Sequence, residues 1–299
     1  MDCELIILSN IIILKDLESI QNMMRLTFAA LVAATVSAGS GDYNYLDNGE
    51  NWGDVYPICK DGDQQSPINL TTADVTVSSN MEINGYGYRD FSLAVEGTDL
   101  KRSEGSVYVP MADGEFHLNF ADGSKSIFEV LQFHFHAPSE HEVNGSLYDL
   151  EVHFVHKYAD TELQLGGVIG IFFDRSAGNY DNDFLTALWA EGENVDINVS
   201  SFFASVDFSR YWNYPGSLTT PPCTQGIKWT VIEDVQPISD AQLKKFTDMW
   251  AGNEAWSEGK GNNRVVQDLK SRTLHYSGAL SSLSFAAAAV TASLAVLAF

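Results

Sequence analysis

Apolar and polar positions alternate with a period of two along much of the middle of the chain. Positions 91–95 and 106–109 alternate as half-buried strands do. The apolar-rich runs 127–135, 150–155, 168–173 and 227–232, each bounded by turn residues, predict further strands. Helical spacing is rare. Asp183 is placed to cap a short helix over 184–190. Ser239 with Gln242 gives the capping-box pattern of a second helix, which carries Leu243, Phe246 and Trp250 and is stopped by Gly252. No repeat, low-complexity segment or Pro/Ser-rich linker interrupts 42–276, so one domain is expected, built on a largely antiparallel sheet with a few peripheral helices.

The two ends follow another pattern. Residues 5–14 are nearly all apolar until Lys15, Asp16 and Glu18 intervene. A second apolar block covers 26–36 behind Met24 and Arg25 and closes in Val36-Ser37-Ala38, small residues at the spacing a signal peptidase reads. Each block is shorter than the ~20 residues a membrane-spanning helix needs. A cleaved signal region is therefore expected over 1–38, with 1–23 as an upstream extension; a two-block membrane anchor is the alternative. From Ser277 onward nothing is charged, and 285–299 is almost continuous Ala, Val, Leu and Phe. Preceded by Ser277, Gly278 and Ala279, this resembles a GPI-anchor signal over 277–299, the alternative being a plain C-terminal membrane helix. The domain over 39–276 is thus expected outside the cell or on its surface, meeting a membrane only through its tail.

Composition narrows the partners. With 45% apolar and 12% aromatic residues, a sizeable core forms and wholesale disorder is excluded. Lys and Arg number 17 against 40 Asp and Glu, a net charge of −23 without a basic stripe, so nucleic acid is not expected as a partner. Of the three cysteines, Cys3 lies in the segment expected to be removed. Cys59 and Cys223 remain, and an even pair in an oxidising compartment predicts one disulfide. Asn69, Asn144 and Asn198 each head an Asn-x-Ser/Thr triplet, compatible with a secreted glycoprotein.

The chemistry concentrates where the histidines do. Gln132, His134 and His136 share one face of a period-2 strand while Phe133 and Phe135 share the other. Glu151, His153 and Val155 share a face of the next strand. If the two strands pair, three imidazoles converge and leave a fourth position open, as a catalytic zinc requires, with Gln132 and Glu151 on the faces that would orient the rings. Surface or core histidines are the bland alternative. His141-Glu142 begins like a zinc-protease motif, but Gly145 stands where its second histidine belongs. The stretch 211–223 packs aromatics, turn residues and the hydroxyls of Thr219 and Thr220 into what reads as an irregular loop. Either it is rigid core, or one hydroxyl orients a metal-bound hydroxide.

Taken together, Gln65-Ser66-Pro67-Ile68-Asn69, the stretch 132–141 with Ser139-Glu140-His141, Glu151-x-His153, the stretch 211–223 and Asn262-Asn263-Arg264 closely resemble the α-class carbonic anhydrases over nearly all of 42–276. The resemblance implies an α+β, mainly β fold: a single domain around a large, mostly antiparallel twisted sheet. It implies a zinc enzyme, a carbonate dehydratase, that reversibly hydrates carbon dioxide to bicarbonate and a proton by a zinc-bound hydroxide; the family is itself the reference case for such a site. His134, His136 and His153 are the implied zinc ligands, and Gln132 and Glu151 the residues that hold them. Thr219 is implied to accept a hydrogen bond from the hydroxide and pass its own proton to Glu140. Val155, Val168, Leu218 and Trp229 resemble the apolar wall that admits carbon dioxide, with Thr220 beside it, and Cys59 with Cys223 matches the disulfide of secreted members.

The chain also departs from the family. Gly105-Ser106 puts a serine where fast members carry a proton-relaying histidine. A serine hydroxyl cannot hold a proton near neutral pH, so a lower maximal turnover is expected. His117 is a candidate relay by its nearness in sequence, with a core or surface histidine as the alternative, and Tyr45 matches a cavity tyrosine. Ala137-Pro138 replaces a Trp-Gly of animal members and looks more like algal, plant or bacterial ones. A different class of function is an acatalytic anhydrase-like binding or surface structural module; the persistence of all three histidines with Thr219 and Glu140 argues for activity.

Overall fold

The computed structural model describes residues 43–278 apart from 74, 95–100, 104–105, 163 and 191–193. The expected signal region, and the expected tail from Ala279 on, lie outside the described residues. The strands are, in chain order, β1 (Asn69–Leu70), β2 (Thr76–Val77), β3 (Glu82–Tyr88), β4 (Phe91–Ala94), β5 (Lys101–Ser103), β6 (Ser106–Pro110), β7 (Gly114–Asn119) and β8 (Lys125–His136). They continue with β9 (Glu142–Val143), β10 (Ser146–Leu147), β11 (Leu150–Tyr158), β12 (Leu165–Phe173), β13 (Asn194–Ile197), β14 (Tyr211–Ser217), β15 (Gln225–Ile232) and β16 (His275–Ser277). Among the described residues four short α-helices, α1 (Pro57–Asp61), α2 (Asp183–Ala187), α3 (Val199–Ser205) and α4 (Asp240–Thr247), and one 3-10 turn over Glu50–Asp54 sit among them.

Eleven strands form one sheet, in the order β2-β16-β14-β15-β12-β11-β8-β6-β5, with β7 on β8 and β3 on β7. The fold is mainly β, as the sequence predicts. Antiparallel pairing dominates without being complete: β12 runs parallel to β15, β16 to β2, and β1 to β9 in a small side sheet. The long central strands are covered on both faces, so β11 and β12 are buried along nearly their whole length. One face carries Phe133, Phe135, Val152 and Phe154 into a core closed by Phe184 of α2 and Phe202 and Phe203 of α3. The other turns Val155, Val168, Tyr214 and Trp229 into a second cluster.

Several predicted elements shift. The cap of α2 is Asn182, whose side chain accepts from the Phe184 N–H, rather than Asp183, and the helix closes at Ala187. The capping box of α4 forms at Ser239 and Gln242, but the helix ends at Thr247, short of Trp250. Half of the predicted loop over 211–223 is β14, and Ser277, placed by the sequence in the tail, pairs with Tyr211 as the last residue of β16. Between β9 and β10, Asn144 and Gly145 take φ of 51° and 79°, the left-handed pair a tight hairpin demands. Cys59 and Cys223 form the expected disulfide across 164 residues, fastening α1 to the loop after β14.

His156 follows Val155 on β11 and belongs wholly to the core. Its Nε2 lies 2.7 Å from the Tyr88 hydroxyl, and the Phe116 ring packs edge-on against it. Burial takes the imidazole down to about 3 from 6.5, although backbone groups of Gly167 and Phe154 pull the other way. A histidine depressed in the folded state binds its proton more readily when unfolded. Its contribution is therefore complete above about 6.5 and is lost as the pH falls towards 3. Urea unfolding at a series of pH values should show stability falling with acid across that window, with a shallower slope in His156→Gln; equal slopes would refute this assignment.

Candidate metal centre

β8 and β11 run antiparallel with His153 directly opposite His134 and Glu151 opposite His136, the pairing the sequence reading required. Ring centroids lie 5.0 Å apart for His134 and His136, 5.3 Å for His134 and His153, and 4.6 Å for His136 and His153. One nitrogen from each falls within 4.8 Å of the others. The remaining nitrogens are held: His134 Nδ1 donates to Gln132 Oε1 at 2.9 Å, His136 Nδ1 to the Asn262 carbonyl at 2.8 Å, and His153 Nε2 to Glu151 Oε1 at 2.9 Å. Each bond fixes the tautomer that leaves a lone pair on the inward nitrogen.

On His136 that lone pair has no partner among the described residues, and the Nε2 that carries it is buried. A buried acceptor costs about 1–3 kcal/mol when unsatisfied, so this atom points to a ligand. Burial and the neighbouring rings hold His134 well below its usual range, and His136 is lowered to about 3. Burial lowers His153 as well, against the pull of Glu151. Three neutral imidazoles converging with an open side fit zinc. The holder of His136 went unread in the sequence. Asn262 belongs to the Asn262-Asn263-Arg264 motif, but the bond uses its backbone carbonyl, which any residue supplies.

Glu151 anchors more than a ring. Oε2 accepts from the backbone N–H of Glu140 and of His141, both at 2.9 Å, and Oε1 from His141 Nδ1 at 2.7 Å as well as from His153. Burial opposes the charge, yet His141 and His153 outweigh it and keep the carboxyl well below the usual range. His141 Nε2 meets the Tyr214 hydroxyl at 2.6 Å, and that hydroxyl lies 2.9 Å from Ser66 Oγ. His141, Glu151 and His153 also stand close enough to hold a metal, but their mutual hydrogen bonds already use the facing atoms.

Glu140 is fully buried beside His136, its Oε1 accepting from the Arg264 N–H at 2.9 Å. Burial pushes this carboxyl well above its usual range, while hydrogen bonds from the Thr219 side chain and the Arg264 backbone pull it back. The Arg264 guanidinium fastens Gln65, Ser66 and the Cys59 carbonyl. Val155 stands opposite Val168, and Val168 opposite Trp229, so with Leu218 they make one apolar surface beside His153. The Trp229 ring lies 4.8 Å from that of His153, and Thr220 is half-buried next to Thr219.

The relay candidates are not brought to the cluster as free proton carriers. Ser106 Oγ donates to the Phe135 carbonyl at 2.6 Å and accepts from the Phe135 N–H at 3.0 Å, locking β6 to β8. His117 sits on β7 opposite Ile127, seven positions along β8 from His134, and bonds Glu115 at 3.1 Å. Tyr45 is buried among Tyr43, Trp52 and Trp256, and burial raises its phenol well above the usual range.

Residues 47–278 match the family model described as eukaryotic-type carbonic anhydrase. The chain is 33% identical to a carbonic anhydrase of a Nostoc species over 244 residues, 76% of this chain and 86% of the relative. Among solved structures, the α-carbonic anhydrase of Thermovibrio ammonificans with the inhibitor sulfanilamide superposes with a TM-score of 0.61 at 32% identity, covering 76% of this chain and 94% of the other. Dioscorin DB3S of Dioscorea polystachya is similar as well, 29% identical over 84% of this chain and 92% of its own length.

Because Gln132 holds the outer nitrogen of His134, Gln132→Ala should weaken zinc binding by about 10–100-fold, and His136→Ala should abolish tight binding. Competition with a chromophoric chelator measures both. Wild-type affinity in Gln132→Ala would show that the hydrogen bond does not support the site.

Proposed function

From its membership of the eukaryotic-type carbonic anhydrase family, whose enzymes hydrate carbon dioxide, we propose that this chain does so with a zinc ion held by His134, His136 and His153. The observation that carries the reading is the buried, unpaired Nε2 of His136 within 4.8 Å of a nitrogen from each of the other two rings. Zinc bound there would supply a Lewis acid that makes hydroxide available near neutral pH.

The chain's own residues do the rest. The Thr219 side chain acts on the buried Glu140 carboxylate; with its proton given to that carboxylate, the Thr219 oxygen would only accept on its other side. It thereby selects an attacking oxygen that spends its proton on Thr219 and turns a lone pair to the substrate. Val155, Val168, Leu218 and Trp229 exclude water from the space carbon dioxide occupies, which suits a neutral linear molecule. Gln132, Glu151 and the Asn262 carbonyl keep the rings from turning. No described histidine stands free near the cluster to take the released proton, so the proton goes to solvent and buffer.

Stopped-flow hydration should therefore show activity that depends steeply on buffer concentration. It should vanish in His134→Ala and fall by about 10²–10³-fold in Thr219→Ala, as for loss of one orienting group. A zinc-loaded, folded wild type without activity would sink the reading. The second reading, a binding module without catalysis, draws on the similarity to Dioscorin DB3S and to a solved dioscorin structure that is complexed with ascorbate. The intact set of three histidines, Thr219 and Glu140 stands against it.

The same reading puts the domain outside the cell, with 1–38 removed as a signal region, glycans at the Asn-x-Ser/Thr triplets, and a GPI anchor replacing the apolar tail that follows the last strand residue, Ser277. Its support is the apolar blocks at the two ends and the Cys59–Cys223 disulfide. Phosphatidylinositol-specific phospholipase C should release the protein from membranes. Retention with the tail peptide still detectable would exclude the anchor.

A further inference from the structure

The chain holds three Asn-Gly pairs, Asn48-Gly49, Asn84-Gly85 and Asn144-Gly145. Such a pair is chemically labile, because a glycine nitrogen with no side chain beside it can close on the Cγ of the asparagine before it. Closure needs an asparagine amide that can swing, space around the glycine and a peptide that can turn. The fold distributes these unequally. Asn48 Nδ2 donates to the Asn263 carbonyl at 3.0 Å and to Asn263 Oδ1 at 3.2 Å, and a Cβ at Gly49 would lie 2.9 Å from the Trp52 ring. Asn84 lies within β3, its Nδ2 donating to Asn119 Oδ1 at 3.3 Å, and a Cβ at Gly85 would lie 3.3 Å from His117. Asn144 is exposed at the tip between β9 and β10, and a Cβ at Gly145 would meet nothing within 4 Å.

One restraint acts on this open tip. The Gly145 N–H donates to Asn69 Oδ1 at 2.9 Å, and the Asn144 N–H to the Leu70 carbonyl at 2.9 Å, so β1 grips the turn from outside the hairpin. The nitrogen that Asn69 holds is the one that would react. While that bond stands, the peptide between Asn144 and Gly145 cannot turn its nitrogen onto Cγ.

We propose that Asn144 is a site of spontaneous deamidation, and that Asn69 sets its rate. The Gly145 nitrogen forms a bond to Asn144 Cγ, the Cγ–Nδ2 bond breaks, and ammonia leaves with the proton that Gly145 gives up. Water then opens the succinimide ring at either carbonyl, leaving aspartate or isoaspartate. The tip gains a negative charge, and in isoaspartate the main chain also gains a methylene within the turn. A glycan on Asn144 would occupy the nitrogen that has to leave, so a glycosylated tip does not react.

The test incubates the full chain, made in a host that adds no N-glycans, in mildly alkaline buffer and follows all three pairs by peptide mapping with mass spectrometry. Folded wild type should convert Asn144 ahead of Asn48 and Asn84, and in urea the three rates should draw together, since the fold makes the ranking. Asn69→Ala, which removes the acceptor, should speed conversion at Asn144 by about fivefold, the size of one hydrogen bond. Asn69→Asp keeps an acceptor oxygen and should react at the wild-type rate. Conversion first at Asn48 or Asn84, or the same ranking in urea, would overturn the choice of site. An unchanged rate in folded Asn69→Ala would overturn the role of Asn69. Hydrogen exchange at the Gly145 amide of wild type decides that role even if the alanine variant does not fold: slowed exchange is expected, and exchange as fast as in an open loop would overturn it.

Discussion

The site hangs on one buried anion. Glu151 sits where a carboxylate is expensive, and it is kept there by four donors: two backbone N–H groups and two imidazoles. Those donors come from β11 itself and from the turn that leads away from β8, so the charge ties the two histidine-bearing strands together at the end where they carry the rings. Through His141 the tie extends to Tyr214 and Ser66. The turn whose backbone Glu151 holds is also the one that carries Glu140. The orientation of His153 and the placing of Glu140 are therefore set by the same carboxylate, and neither can drift without leaving a charge unpaired.

Much of this was legible in the sequence because period-2 alternation assigns faces before any fold is known. His134 and His136 opposite the two phenylalanines, and His153 two residues after Glu151, needed only the pairing of two strands to converge. The paired cysteines were equally plain. What escaped the reading has a physical reason in each case. The Asn262 carbonyl that holds His136 is backbone and leaves no mark on residue type. In β14, Pro215 and Gly216 read as punctuation in the sequence, although they pair with β15 in a strand whose first half is also paired to β16. Ser106 shows its acid–base chemistry in the sequence but not its place in the ladder, where its hydroxyl bonds both the N–H and the carbonyl of Phe135.

The central sheet keeps two environments apart with a single layer of backbone. Phe133, Phe135 and Phe154 face an aromatic core while their immediate neighbours His134, His136 and His153 face the site. Rigid packing on one side limits how far the rings on the other can shift. His156 shows the opposite use of the same residue type: turned into the core, it is a neutral packing group bonded to a tyrosine.

The disulfide has a consequence of topology. His134, His136, Glu140, Glu151, His153 and Thr219 all lie between Cys59 and Cys223, so they are contained in one closed covalent ring. The exposed hairpin tip at Asn144 and Gly145 lies inside the same ring. A protease that cuts there once separates the sequence into two pieces without separating the molecule. The nicked chain stays one covalent molecule, heavier by one water, until a reductant opens the ring, and the histidines on either side of the cut stay woven into adjacent strands of one sheet.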